Sequence, residues 1–199
     1  MTMKRTDNTD NLVLTALMMG LVCLATFALK VPNPLTQGYV HLGDTFIFMS
    51  VLVLGKKNGA IASSVGAALA DIFGGYVLFA AGTFVAKGLM AYVMGEFIQR
   101  GRLHEDRLAQ EAAGRGETWK PRLILSLAPY ELLAMITGGL VEVVIYIFVN
   151  AIVYGNMAVG FVSVPGNTGQ FICSMIVAVL LTHALLKTPA RKFFRFVHR

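Results

Sequence analysis

Charged residues are scarce in this chain, at 14% of its 199 residues, whereas apolar residues make up 56% and the mean hydropathy is +0.66. So few polar side chains cannot cover the surface of a soluble globule of this length. The scarcity of charge therefore excludes an ordinary soluble domain. It indicates a single membrane domain that covers residues 1–199.

Several motifs that carry chemistry are also missing. The chain has no G-x-x-x-x-G-K-[ST] phosphate-binding loop, so we expect that it does not itself hydrolyse ATP. It has no H-E-x-x-H and no G-x-S-x-G motif, and Cys23 and Cys173 lie in apolar runs without a C-x-x-C neighbour. We therefore predict no enzyme activity, no metal and no cofactor.

What the chain does contain is a series of apolar segments separated by short connections. All but two of its 17 lysines and arginines fall on alternate connections or on the termini, the exceptions being Lys30 and Lys87. Basic connections stay in the cytoplasm, beside anionic lipid headgroups, so we expect membrane lipid and not nucleic acid as the partner of these bases. The pattern predicts an all-α integral membrane protein, a six-transmembrane-helix bundle with cytoplasmic N and C termini. The predicted spans are about 12–29, 44–55, 59–77, 83–98, 129–153 and 165–186, with a cytoplasmic loop at 99–121.

Ionisable side chains inside apolar spans are costly, so each of them is a candidate functional residue. Asp71 and Lys87 lie at similar depths on consecutive spans, which predicts a structural ion pair, with one partner also contacting a ligand as the alternative. Glu142 lies in mid-membrane and Tyr146 follows one helical turn later. Both are expected to face the interior of the bundle.

Further polar residues cluster near the predicted outer ends of the spans. Asn167 and Gln170 share the first turn of the last span, where Asn167 has an alternative role as a helix N-cap. Tyr39, His41 and Asp44 come from the first outer connection and the start of the second span, and Asp44 also fits an N-cap. Together these residues predict a binding pocket that opens outward. The candidate substrate-binding residues are Tyr39, His41, Asp44, Lys87, Glu142, Tyr146, Asn167 and Gln170.

Five segments resemble the substrate-binding S components of energy-coupling factor (ECF) vitamin transporters. They are His41-Leu-Gly-Asp44, Leu54-Gly-Lys-Lys-Asn-Gly-Ala-Ile61, Ala68-Leu-Ala-Asp-Ile-Phe-Gly-Gly75, Lys87-Gly-Leu-Met90 and Pro165-Gly-Asn-x-x-Gln170. The branch that the chain resembles most takes up pyridoxine-type vitamins or the hydroxymethylpyrimidine precursor of thiamine. The resemblance implies a six-helix subunit of the bacterial cell membrane that captures its vitamin on the outer side. It also implies docking on a transmembrane T protein (EcfT) that carries two ATPases (EcfA and EcfA').

The same resemblance identifies a docking motif on the first helix. S components carry a small-x-x-x-small motif there, and Ala16 and Gly20 match it, with ordinary packing inside the bundle as the alternative. The interpretation from the sequence is therefore a vitamin-binding S component. The rival is a self-sufficient transporter or facilitator that uses Glu142, Asp71 and Lys87 as a proton path.

Overall fold

Helices form most of the protein. The computed structural model describes the backbone of residues 3–33 and 38–197 and the side chains of residues 9–30 and 41–197. Its six α-helices are α1 (Met3–Ala28), α2 (Asp44–Phe73), α3 (Val77–Gly114), α4 (Pro129–Tyr154), α5 (Met157–Val162) and α6 (Val164–Leu186), and a short 3₁₀ helix spans Pro189–Phe193. Two strands, β1 (Lys30–Asn33) and β2 (Gly38–His41), pair antiparallel between α1 and α2, with Lys30 opposite His41. The prediction of an all-α chain therefore omitted one small hairpin.

Five helical segments in the described ranges are long and apolar enough to cross a membrane. They are Thr9–Ala28, Asp44–Phe73, Val77–Gly114, Pro129–Tyr154 and Met157–Leu186, the last including α5 and α6. Large apolar side chains cover much of their outer surface, and Leu78 and Ile152 are each 81% exposed. Such a surface suits lipid and not water, so the protein is a multi-pass membrane protein.

Helix α2 folds back on itself at Gly55. The hydroxyl oxygens of Ser50 and Ser63 lie 3.1 Å apart, although thirteen residues of straight helix would separate them by about 20 Å. Gly55 makes the turn, with φ +75° and ψ −173°, a conformation that is essentially confined to glycine. The sequence predicts a break between residues 55 and 59, and α2 accordingly has a first arm, 44–54, and a second arm, 56–73.

The length of the first arm changes the predicted topology. Its eleven residues rise about 16 Å, roughly half of the ~30 Å hydrocarbon thickness. Six full crossings therefore do not follow from the helix lengths alone. The first arm nevertheless holds the centre of the core, since Ile47, Phe48, Val51 and Leu52 are all completely buried.

The predicted cytoplasmic loop at 99–121 is wrong for most of its length. Helix α3 runs without interruption from Val77 to Gly114, which at 38 residues is about 57 Å and nearly twice the hydrocarbon thickness. Residues 99–114 are polar and charged, but alanine, glutamate, arginine and leucine are good helix formers, so polarity does not end the helix there. The connection before α3 is also shorter than predicted, because α2 ends at Phe73 and α3 begins at Val77.

The end of the chain packs beneath the turn at Gly55. The N–H of Phe196 donates to the carbonyl of Leu52, at 3.1 Å, and the side chain of Arg195 donates to Asn11 of α1, at 2.7 Å. Phe194 and Val197 are buried, although both belong to a tail rich in basic residues. The start of α1, the turn of α2 and the C-terminal tail therefore lie at one end of the bundle, and the β-hairpin and the start of α2 lie at the other.

We expect Gly55→Ala to destabilise the protein by at least about 1–3 kcal/mol, because an L side chain does not adopt this backbone conformation. The added Cβ would also lie 2.6 Å from the ring of Phe196. Thermal unfolding of the purified protein in detergent measures the effect. Gly114→Ala is the matched control, since apart from the adjoining backbone no atom of the described residues lies within 4 Å of its added Cβ. Equal unfolding temperatures for the two variants would show that Gly55 does not hold the turn.

Candidate functional site

Lys87 lies at the centre of a buried charged cluster. Its ammonium nitrogen donates to Asp44 Oδ1 at 2.6 Å and to Glu142 Oε1, and all three side chains are completely buried. The three residues come from three helices, the start of α2, the first third of α3 and the middle of α4. One ammonium group therefore ties together three elements that are distant in sequence.

Glycines let the elements that carry these residues approach closely. A Cβ on Gly138 would lie 2.9 Å from the carbonyl of Met90, and one on Gly139 would overlap the ring of Phe171. The backbone of α4 thus packs directly on α3 and α6, about one helical turn before Glu142. Gly43 has the same effect at the start of α2, because a Cβ there would overlap Thr26 of α1. These contacts bring Asp44 and Glu142 within reach of Lys87.

Gln170 completes the cluster from α6. Its amide nitrogen donates to Asp44 Oδ2 at 2.7 Å and to Glu142 Oε1 at 3.1 Å. Its amide oxygen accepts a hydrogen bond from the backbone N–H of His41 at 3.0 Å. The side chain of Gln170 therefore connects the two carboxylates to the end of the β-hairpin.

His41 is buried and neutral at the edge of this cluster. Its Nδ1 accepts a hydrogen bond from the N–H of Gly43 at 3.0 Å, which places the proton of the neutral ring on Nε2. Burial, the largest influence, lowers the pKa of His41 to about 4. The imidazole is therefore uncharged at neutral pH, and it orders the backbone at the entry to α2.

The cluster contains more carboxylate than ammonium. Two carboxylates, Asp44 and Glu142, surround the single ammonium of Lys87, and Glu142 Oε2 is buried with no hydrogen-bond partner among the described residues. An unsatisfied buried oxygen of this kind costs free energy until a donor reaches it. The arrangement is therefore suited to accepting hydrogen bonds from a bound molecule.

Tyr146 lies beside the cluster, one helical turn after Glu142 on α4. Its hydroxyl shares a hydrogen bond of 3.0 Å with Thr83, and its ring centroid is 5.3 Å from the ammonium nitrogen of Lys87. A ring at this distance attracts the cation and offers an aromatic surface next to it. Thr83, which was not among the candidate residues from the sequence, holds the ring in place.

The predicted ion pair between Asp71 and Lys87 is not formed, because Lys87 pairs with Asp44 and Glu142 instead. Asp71 is buried near the end of α2. Equal depth in the membrane places two residues at the same height but does not decide which faces of their helices meet. Lys87 points towards Asp44 at the start of the first arm of α2. From the sequence, Asp44 was expected to be a separate residue of the outer end or a helix N-cap.

The sequence also made predictions for Asn167, Asp44 and Tyr39. Asn167 is not the N-cap of α6, which begins three residues earlier at Val164, and its side chain donates to Ser163 at 3.3 Å and not to the cluster. Asp44 is not an N-cap either, because both of its oxygens bind other side chains. Tyr39 belongs to β2, but its side chain lies outside the described residues.

A groove of about 530 Å³ opens beside the cluster at the hairpin end of the bundle. It is lined mostly by apolar atoms of the end of α1 and the first two turns of α6, and its polar lining includes His41 and Gln170. The full lining is Ala28, Leu29, Lys30, His41, Leu42, Pro165, Gly166, Gly169, Gln170 and Cys173. This volume is within the range that small-molecule sites occupy.

The small residues of α1 face a different groove. Ala16 and Gly20 are exposed, and apart from the adjoining backbone of α1 no atom of the described residues lies within 4 Å of a Cβ placed on Gly20. They line a shallow apolar depression of about 540 Å³ together with Met19, Cys23, Leu24, Phe27, Leu69 and Phe73. These two residues therefore do not pack inside the bundle, which was the alternative role for them.

A chain of membrane-crossing helices with a small-molecule groove and a buried polar cluster has the features of a membrane protein that binds a solute. Comparison with known proteins defines the family. The family described as "ECF-type riboflavin transporter, S component" matches residues 6–187, nearly the whole chain, and the protein therefore belongs to the ECF transporter S components, which are substrate-binding transport subunits. The chain is also 31% identical over 134 residues to an uncharacterized protein in a gap 3' region of Pyrococcus woesei, covering 67% of this chain and 74% of that protein.

Metal binding has no structural support in the described part of the chain, where no three His, Cys, Asp or Glu residues are grouped to hold an ion.

The low pKa of His41 predicts a stability that depends on pH. Between pH 6.5 and 4 the unfolded chain binds a proton that the folded protein does not, so stability falls as the pH drops, by on the order of 3 kcal/mol for this group. His41→Asn keeps an acceptor for the Gly43 N–H but does not titrate. We expect the unfolding temperature of the wild type to fall further between pH 7 and pH 4.5 than that of the variant. Parallel curves for the two proteins would contradict this role of His41.

Proposed function

We propose that this protein captures a small heterocyclic vitamin or vitamin precursor on the outer face of the membrane. We further propose that it passes the solute to an energising module formed by EcfT and the ATPases EcfA and EcfA'. The observation that carries this proposal is the buried cluster of Lys87, Asp44, Glu142 and Gln170 beside a groove of vitamin size. Membership of the S-component family supports it, because the chain then needs no energy-coupling chemistry of its own.

The orientation in the membrane follows from the charges at the two ends of the bundle. Lys56 and Lys57 adjoin the turn of α2, and the charged end of α3 and the basic tail lie at that same end with the start of α1. Basic ends stay in the cytoplasm. We therefore place both termini inside the cell and the hairpin, the groove and the buried cluster outside, with the two arms of α2 counted as two of six passages.

Two classes of substrate suit this site. Our first candidate is a pyridoxine-type vitamin or hydroxymethylpyrimidine, a small hydroxylated ring that Tyr146 would contact by its face and the polar cluster by its edge. Riboflavin is the second candidate, because the matching family is described as riboflavin transporters. In each case the polar groups of the site would discriminate against rings that leave them without partners.

Glu142→Ala should weaken binding of the substrate at least tenfold, about 1.4 kcal/mol, because it removes a buried acceptor. Isothermal titration of the purified full-length protein with hydroxymethylpyrimidine, pyridoxine and riboflavin measures this. Glu117→Ala is the control, since that carboxylate is exposed and pairs only with Arg115 among the described residues. Unchanged affinity in a folded Glu142→Ala protein would remove Glu142 from the site.

The rival function is proton-coupled transport by this chain alone, for which the buried carboxylates are the supporting observation. Uptake into vesicles separates the two functions. A substrate-binding subunit transports only when EcfT and both ATPases are present with ATP. Uphill uptake driven by a proton gradient in vesicles that contain this chain alone would overturn the proposed function.

The depression around Ala16 and Gly20 is our candidate surface for docking on EcfT. Small residues allow two helices in lipid to approach closely, and this close packing supplies the attraction. The position of the depression on the outer surface of α1 and α2 leaves it open to a partner helix.

We expect the double variant Ala16→Leu with Gly20→Leu to lose vitamin uptake by at least tenfold in the assembled transporter, because the added side chains fill the depression. Binding by the isolated subunit should not change, since neither residue lines the groove or bonds to the charged cluster. Leu17→Phe is the control, as Leu17 is exposed on α1 but does not line the depression. Full uptake by the double variant would place the docking surface elsewhere.

A further inference from the structure

Every polar atom of the Gln170 side chain is engaged within the cluster. The amide nitrogen donates to Asp44 and Glu142, and the amide oxygen accepts from the N–H of His41. The side chain is buried while doing so. The carboxamide thus has a donor and an acceptor side by side in one plane. The two carboxylates bind the donor, and the N–H of His41 binds the acceptor.

Gln170 also separates the groove from the charges. It lines the groove with His41, whereas Lys87, Asp44 and Glu142 do not line it and have completely buried side chains. A solute that enters the groove therefore meets Gln170 first. To contact the carboxylates, it must displace the carboxamide.

Displacement breaks three hydrogen bonds, and two of them end on carboxylates. Buried groups that lose their partners carry a large penalty, so a solute that takes this place has to offer the same pattern. It needs an acceptor for the N–H of His41 and an adjacent N–H for Asp44 and Glu142. A further N–H would reach Glu142 Oε2, which is buried without a partner among the described residues.

We propose that the substrate carries an amide-like edge, an N–H donor beside an acceptor in one plane, and that this edge replaces the Gln170 carboxamide in the cluster. The inference rests on the proposed function and selects among its substrates. Hydroxymethylpyrimidine has an amino group next to a ring nitrogen, and riboflavin has a cyclic imide. Pyridoxine has neither, so the geometry favours the other two.

A series of ligands tests, on the wild-type protein, whether the substrate needs the amide-like edge. Titrations of the full-length protein in detergent would compare hydroxymethylpyrimidine, its analogue with a methyl group in place of the amino group, riboflavin and pyridoxine. We expect hydroxymethylpyrimidine or riboflavin to bind, and the methyl analogue and pyridoxine to bind at least tenfold more weakly than the better of the two. If the methyl analogue and pyridoxine bind as tightly as the better of those two ligands, the amide-like edge is overturned and the proposed function still stands. Absence of binding by all four compounds would overturn the proposed function itself.

Gln170→Met tests the displacement separately. Methionine fills a similar volume but forms no hydrogen bonds to the carboxylates, so the free site of this variant lacks the interactions that the substrate must otherwise replace. We expect the variant to bind the edge-bearing ligand more tightly than the wild type does. A tenfold loss of affinity in a variant that still unfolds cooperatively would show that Gln170 binds the substrate directly, which overturns the displacement. Should the variant fail to fold, the ligand series on the wild type decides the proposal alone.

Discussion

The pairing of one buried ammonium with two buried carboxylates is the interaction on which the rest of this structure depends. Lys87 cannot remain charged inside an apolar bundle without partners, and neither can Asp44 or Glu142. Because the three residues belong to α3, α2 and α4, satisfying their charges fixes how these helices meet. Gln170 adds α6 to the same set of contacts. The cost of burying charge thus gives the bundle a specific arrangement that packing of apolar side chains alone would leave less defined.

The backbone around the cluster is shaped to make this pairing possible. Gly43 lets the start of α2 approach α1, and Gly138 and Gly139 let α4 approach α3 and α6. The turn at Gly55 returns α2 along its own first arm, so that Asp44 begins a helix deep within the bundle instead of at its rim. Four helices thus hold the polar groups of the cluster, and Gln170 lies between the charged groups and the groove at the hairpin end.

Much of this arrangement could be predicted from the sequence. The predictions that were wrong have physical reasons. The cost of intramembrane charge made Lys87 and Glu142 candidate site residues, and their position near the outer ends of the spans added Asp44 and Gln170; the structure brings these four together. The sequence could not identify their partners, since depth along a helix does not define the face on which a side chain lies. The pairing of Lys87 with Asp71 was wrong for this reason. The helical extension of α3 over residues 99–114 was missed because polarity distinguishes water from lipid but does not distinguish a loop from a solvated helix.

The most direct test of the central claim is the thermal unfolding of Lys87→Met compared with Lys57→Met, an exposed lysine beside the turn of α2. Removing the ammonium of Lys87 leaves two buried carboxylates without their counter-charge, which costs about 3–5 kcal/mol. The account predicts a large fall in the unfolding temperature of Lys87→Met, a partial recovery on adding Glu142→Gln, and little change for Lys57→Met. Equal unfolding temperatures for the two single variants would contradict it.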